Sequence, residues 1–333
     1  MNSLSRATRS EGSDGGSRRV SLFAAPRAVM VAGPTASGKS RFALRLAEKI
    51  GGVVISADSM QIYRGLDIGT AKESAVNRAR VPHELIDIVD ADKSFSVSEF
   101  ASAAQLAAEK ALTDGRIPVV VGGTGLYFES LVRPLGFGGT PSDETLRAEI
   151  SALYDEKGGE NLLEMLRGCD SATAARLHPN DKKRIVRALE IVSLTHSPMS
   201  AQNDEYDGDF IMVCFNSSDR QKLYDLINSR VDEMFSAGLP QEAAHFLSLL
   251  GENAQSMQAI GYKEFAPFMS EYREKGAFSD KSLVEIAESI KKNTRNYAKR
   301  QITWFKRYPF AEWFETGDLD AAEKYVMSRL SDG

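Results

Sequence analysis

Apolar positions along the chain fall into two alternating patterns. Ala28-Val29-Met30-Val31-Ala32 is a continuous apolar run that stops at Gly33. Such runs mark strands covered on both faces, as in parallel sheets. Val53-Val54-Ile55, Leu85-Ile86-Asp87-Ile88-Val89, Ile117-Pro118-Val119-Val120-Val121 and Ile211-Met212-Val213-Cys214-Phe215 repeat the pattern, the last of these closing the strand series. Between them lie helical periods, with Phe42, Leu44, Leu46 and Ala47 on one helix and Phe100 to Leu112 forming another. Strands alternating with helices predict an α/β fold, a parallel sheet flanked by helices.

From Phe137 to about Leu194 the strands stop. Gly136, Gly138, Gly139 and Pro141 make a break, and helical stretches follow at 146–154, 161–166 and 181–194. The chain therefore divides into a core of residues 27–136 and 195–333 and a helical insertion domain of 137–194. Residues after Ser217 are again mainly helical. Residues 1–26 are rich in Ser, Gly and Arg and have too few apolar side chains to bury. They predict a disordered extension. Their Arg and Ser content suits an organelle transit peptide, but Glu11, Asp14 and the glycines weigh against one.

Composition narrows the class. With 42% hydrophobic and 26% charged residues the chain has the balance of a soluble globular protein. No apolar run reaches the roughly 20 residues that span a bilayer, so no membrane partner is expected. Cys169 and Cys214 form no disulfide framework, which fits a reducing, cytoplasmic location. The four histidines show no metal-ligand spacing. A formal net charge of −5 excludes a uniformly basic surface, though not a local basic face.

Gly33-Pro34-Thr35-Ala36-Ser37-Gly38-Lys39-Ser40 fits G-x-x-x-x-G-K-[ST], with a buried strand before it and an amphipathic helix after it. This P-loop, in a P-loop NTPase-like sheet, binds a polyphosphate. The glycines let backbone N–H groups turn toward it, the helix N-terminus adds partial positive charge, and Lys39 adds a full one. Ser40 offers a hydroxyl ligand for Mg²⁺. At the end of the second strand stands Asp58, in the crevice where parallel sheets hold ligands. It is placed either to take a proton or to cap a helix. Thr124, after the strand ending at Val121, also lies at the crevice, where it is open to a capping role.

The stretch Asp58-Ser59-Met60-Gln61-Ile62-Tyr63-Arg64-Gly65-Leu66-Asp67-Ile68-Gly69-Thr70-Ala71-Lys72 resembles the signature of the tRNA dimethylallyltransferases. So do the P-loop, Pro82-His83, Gly122-Gly123-Thr124-Gly125-Leu126-Tyr127, Asn180-Asp181 with Arg184 and Arg187-Ala188-Leu189-Glu190, Ala259-Ile260-Gly261-Tyr262-Lys263-Glu264, and Tyr297-Ala298-Lys299-Arg300-Gln301. These motifs span residues 28–310 in family order. The chain departs from the family at Glu84, Glu73 and Ser171, none of them assigned to chemistry.

The resemblance implies a reaction. Dimethylallyl diphosphate is held by Gly33 to Ser40 with Mg²⁺. Asp58 is the base that accepts a proton from adenine N6. Thr124 lies beside the substrate. Arg230 contacts the diphosphate, with Arg220 the second choice. It also implies tRNA contacts from Asp58, Ser59, Met60 and Gln61, and from Lys183, Arg184, Ile185, Val186 and Arg187, by a protein acting as a monomer. Residues 291–307 carry seven basic side chains and no acidic one. Arg295, Lys299 and Arg300 there suit phosphates, and the interleaved Tyr297, Trp304 and Phe305 suit either splayed bases or a core stripe. Three rival readings stand beside this one. They are a P-loop small-molecule kinase, an adenylate isopentenyltransferase acting on free nucleotides, and a non-catalytic RNA-binding protein.

Overall fold

The computed structural model describes residues 28–133, 143–199, 206 and 210–331. The extension expected over residues 1–26 and the glycine break at 136–141 lie outside the described residues. Among those described there are six strands: β1 (Ala28–Ala32), β2 (Val53–Ala57), β3 (His83–Glu84), β4 (Pro118–Gly122), β5 (Phe210–Asn216) and β6 (Ala311–Glu315). They form one parallel sheet in the order β3-β2-β4-β1-β5-β6. Every residue of β1, β2 and β4 is buried. The strand period of two explains why these runs are apolar throughout. Val29 and Val31 point to the face covered by α1 (Lys39–Ile50) and α13 (Leu319–Ser331), where Phe42, Leu46 and Val326 pack. Met30 and Ala32 point to the opposite face, covered by α3 (Val97–Thr113) and α4 (Gly125–Val132) through Phe100, Phe128 and Leu131.

Two strand expectations change. The third strand is β3, after the short helix α2 (Ala75–Arg80), and not Leu85 to Val89. Leu85 and Asp87 adopt positive φ of 63° and 58°, which breaks an extended run. Asp87 is held there by Lys72 Nζ at 2.5 Å and Arg78 Nη1 at 2.8 Å. Nor is β5 the last strand. β6 pairs alongside it, with Met212 opposite Ala311 and Asn216 opposite Glu315. As an edge strand it needs no apolar run.

Helices α5 (Glu144–Lys157), α6 (Gly159–Cys169), α7 (Ser171–Ala174) and α8 (Lys182–Thr195) bury a cluster of their own, centred on Leu162, Leu166, Ile185 and Ala188. Inside it Glu190 is fully buried. Its carboxylate accepts from Arg147 Nε at 3.0 Å, Arg187 Nη1 at 2.8 Å and the Asp143 backbone N–H at 2.9 Å. Burial alone would raise its pKa, but these donors outweigh burial and hold it below the ordinary value.

After β5 come α9 (Arg220–Ser236), α10 (Leu239–Leu250), two 3₁₀ turns (Gln255–Gln258 and Lys263–Phe268), α11 (Met269–Lys275) and α12 (Asp280–Phe305). They share a further core with Ile62, Tyr63 and Leu66 from the loop after β2. The 26-residue α12 joins both cores, burying Ile286 and Ile290 near its start and Phe305 at its end.

Candidate active site

The carboxyl ends of β1, β2 and β4 open into a cavity of about 330 Å³. The P-loop forms its floor. Gly33 takes φ 142°, and a side chain there would come within 2.5 Å of the Phe215 carbonyl, so the tight turn against β5 needs glycine. Gly38 sits at the left-handed position before α1. Pro34, Ala36 and Ser37 build the turn, while Thr35, Lys39 and Ser40 line the cavity. Lys39 Nζ donates to the Pro34 carbonyl at 3.1 Å. Burial, then the neighbouring Arg230 charge, push its pKa down from 10.5 to about 8, against an opposing pull from Asp58.

Asp58 follows β2 directly and lines the cavity. Its Oδ1 accepts from the Met60 backbone N–H at 2.9 Å, a local turn with no helix behind it. The capping alternative therefore falls away. Thr124 does occupy the N-cap position of α4, yet its hydroxyl makes no cap bond. It accepts from the Ser59 N–H at 3.0 Å and lies 3.3 Å from the Ser59 hydroxyl, holding the turn that carries Asp58.

Arg230 enters the cavity from α9 beside Ile227, Val231 and Met234. These four lie three and four residues apart and so share one helix face. Burial lowers the Arg230 pKa against the pull of Asp58 and Glu233. Arg220, at the first position of α9, is exposed and does not line the cavity. The structure thus separates the two arginines that the sequence left as alternatives.

Helix α12 supplies the remaining wall through Ile290, Thr294, Tyr297, Arg300 and Gln301. Gln301, which the sequence marks only as the end of a motif, bridges the P-loop and the loop after β4. Its Oε1 accepts from the Thr35 N–H at 2.9 Å and its Nε2 donates to the Gly123 carbonyl at 2.9 Å. A side chain on Gly123 would collide with this amide. The Thr35 amide is therefore committed to Gln301, leaving fewer loop amides for a phosphate than the motif alone suggests.

No group of three His, Cys, Asp or Glu side chains arranged for a metal is found among the described residues. Among the oxygen-bearing side chains that line the cavity, the Ser40 hydroxyl and the Asp58 carboxylate nevertheless fit Mg²⁺. That ion takes few protein ligands and completes its shell with phosphate oxygens and water.

Comparison with known proteins agrees with this fold. The family model "IPP transferase" matches residues 61–308, and the model "Isopentenyl transferase" matches residues 26–80. The chain belongs to the IPP transferase family. It is 42% identical over 319 residues to the tRNA dimethylallyltransferase of Thermoanaerobacter sp. (strain X514), covering 91% of this chain and 98% of that one. Against the crystal structure of the tRNA isopentenylpyrophosphate transferase of Bacillus halodurans it gives a TM-score of 0.66 at 38% identity, over 92% and 98% of the two chains. A eukaryotic dimethylallyltransferase solved acting on tRNA gives 0.75 at 26% identity, over 92% of this chain and 78% of that one.

In this IPP transferase the basic residues singled out for RNA are not equivalent. Lys183 and Arg184 are exposed at the start of α8, Arg184 with a partner in Asp181 at 3.2 Å. Ile185 and Val186, between them and Arg187, are a correction. Both are buried in the α5–α8 cluster, because alternate sides of the helix face core and solvent, so their side chains are packing residues. Arg187 turns inward to Glu190. On α12, Arg295 donates to Asn228 Oδ1 at 2.6 Å and, with Lys299, lies over the Tyr224 ring. Arg300 lies over Tyr297 at the cavity wall. Of the interleaved aromatics, Phe305 is wholly core. Trp304 packs on Gly125, with the Arg307 guanidinium 4.0 Å from its ring centre. Among the described residues no helix is long and apolar enough to cross a membrane.

Proposed function

We propose that the protein transfers the dimethylallyl group of dimethylallyl diphosphate to N6 of the adenosine immediately 3′ of the anticodon in tRNA, releasing diphosphate. The observation that carries this reading is the convergence of Lys39, Arg230 and Asp58 on one cavity of mixed polar and apolar wall, where Arg230 and Asp58 both act on the charge of Lys39. The two cations suit a diphosphate and the negative charge that gathers on it as the allylic C–O bond breaks. Asp58 suits the proton that leaves N6 as the new C–N bond forms. Ile227, Val231 and Met234 offer the allyl group an apolar surface beside Arg230 and keep water from competing with the amine. Ser40 would hold Mg²⁺, which would supply further positive charge at the leaving group.

On this reading the base is drawn out of the anticodon loop to the wall formed by Ser59, Met60 and Gln61. Helices α5–α8 form a domain that meets the anticodon arm through Lys183, Arg184 and Arg187. The α12 cations Arg295, Lys299 and Arg300 take phosphates near the cavity mouth.

The test is incubation of the purified protein with dimethylallyl diphosphate, Mg²⁺ and an unmodified tRNA transcript, followed by mass spectrometry of the anticodon loop. One dimethylallyl group at that adenosine is expected, and AMP in place of tRNA is expected to react poorly, because binding energy from the anticodon arm is needed to place the base. Efficient prenylation of AMP with tRNA the worse substrate would overturn the reading in favour of a free-nucleotide enzyme. Asp58→Ala is expected to bind tRNA normally and to react about a hundredfold or more slowly, the scale of a lost general base. A near-normal single-turnover rate would remove Asp58 from that role.

A further inference from the structure

The loop of residues 66–72 supplies Gly69 and Thr70 to the cavity wall and contains no regular secondary structure. Lys72 ties its far end to Tyr63 and Asp87, and one carboxylate from outside the sheet holds the amides that precede Thr70. Glu242, in the first turn of α10, accepts from three successive backbone amides. The Asp67 N–H reaches Oε2 at 3.0 Å, the Ile68 N–H reaches Oε2 at 3.0 Å and Oε1 at 3.1 Å, and the Gly69 N–H reaches Oε1 at 3.0 Å. The Tyr262 hydroxyl, on a side chain buried in the α9–α12 core, donates to Oε1 at 2.6 Å. Consecutive amides aimed at one point form a nest for an anion. The packing is specific as well. A side chain on Gly69 would come within 2.6 Å of the Tyr262 ring, so only glycine lets that ring lie against the loop.

The same loop reaches the site through its carbonyls. Gln61 Nε2 donates to the Thr70 carbonyl at 3.2 Å, and its Oε1 accepts from the Ser56 hydroxyl at 3.0 Å. Gln61 Nε2 also donates to the Ala71 carbonyl at 3.4 Å, so the Gln61 amide, three residues beyond Asp58 and on the cavity wall, takes its direction from the 70–71 carbonyls together with Ser56.

We infer that Glu242 is a positioning residue for the acceptor: it fixes the 66–71 loop and, through the Thr70 carbonyl, the orientation of Gln61 on the wall that receives the adenine. This rests on the acceptor reading proposed above. Both carboxylate oxygens are occupied by donors, so an amide cannot replace it, since its NH₂ would face an N–H. Burial and the Glu242 charge together push the Tyr262 hydroxyl well above its ordinary pKa, so it remains a donor across the working pH range.

Glu242→Gln is expected to lower the single-turnover rate with tRNA by about 10- to 100-fold, as a displaced acceptor would. Its equilibrium affinity for dimethylallyl diphosphate, measured with the number of donor sites per chain, should stay within about threefold of wild type, since Lys39, Ser40 and Arg230 do not touch the loop clamp. Counting donor sites separates misplacement from loss of folded protein, which would lower the site number. Tyr262→Phe leaves three amide donors on the carboxylate and is expected to fall between wild type and Glu242→Gln, and the double variant is expected to be no slower than Glu242→Gln alone. A wild-type single-turnover rate in Glu242→Gln overturns the inference, as does an unchanged rate in Tyr262→Phe should Glu242→Gln not fold. Failure of the wild-type protein itself to modify tRNA would instead overturn the acceptor reading beneath it.

Discussion

At the scale of single residues, the charge on Lys39 depends on what shares its cavity. In the free protein, burial and the Arg230 charge bring its pKa from 10.5 down to about 8. The fold therefore holds this proton less tightly than the unfolded chain does. Its linkage contribution makes the free protein more stable as pH rises from about 8 toward 10.5, not less. Binding runs the other way. On the proposed reaction a diphosphate between Lys39 and Arg230 would screen their repulsion and restore the lysine proton, so donor binding would favour the charged form. On the proposed reaction, kcat/KM for dimethylallyl diphosphate should fall as pH rises past about 8, while kcat, which reports the loaded enzyme, should hold over the same range. Steady-state kinetics at a series of pH values check this. A kcat that falls in parallel with kcat/KM would place the titrating group elsewhere.

Among the elements, α12 joins two cores, and one buried amide marks how. Gln301→Leu keeps roughly the same volume but strands the Thr35 N–H, at about 1–3 kcal/mol, and leaves the Gly123 carbonyl only the Tyr297 hydroxyl at 3.4 Å. Thermal unfolding should show a lowered midpoint, and the KM for dimethylallyl diphosphate should rise because the P-loop loses its tie to α12. An unchanged midpoint with unchanged KM would mean that the two loops hold themselves. The sequence signals for these elements are unequal for physical reasons. β1, β2, β4 and β5 are covered on both faces, so their apolar runs are unmistakable. β6 lies at an edge with Glu312 and Glu315 in it, and it vanishes into the pattern of a polar segment. The run Leu85 to Val89 has strand composition, but the ion-paired Asp87 turns its backbone aside. Asp58 and the P-loop are legible from their place at strand ends. Arg230 enters only through the family resemblance, and the fold is needed to prefer it to Arg220. Gln301 and Glu242 are not legible. Neither residue type nor its neighbours in the chain reveal a partner until the fold brings Gln301 to Thr35, 266 positions away.

For the whole molecule, a net charge of −5 means that any attraction to RNA must come from local arrangement. The α5–α8 cluster divides its basic residues by the side of α8 on which they fall. Lys183 and Arg184 face solvent, whereas Arg187 is engaged with the buried Glu190. These positions should respond differently to neutralisation, although they stand within five residues of one another. If the cluster meets the anticodon arm, Lys183→Ala with Arg184→Ala should raise the KM for tRNA and leave that for dimethylallyl diphosphate unchanged. The slope of log K against log salt for tRNA binding should shrink by about one for each phosphate that is no longer neutralised. Thermal stability should barely move, since exposed charges contribute little to it. Arg187→Ala should lower the melting temperature, because it withdraws one of the two arginines that neutralise Glu190 inside the cluster. Any rise in its KM for tRNA is then mixed with partial loss of the fold. Salt titrations of tRNA binding, run beside thermal melts for the two variants, separate the two effects. A salt slope unchanged by the Lys183 and Arg184 substitutions would exclude phosphate binding at that end of α8 and leave the α12 cations as the RNA-binding face.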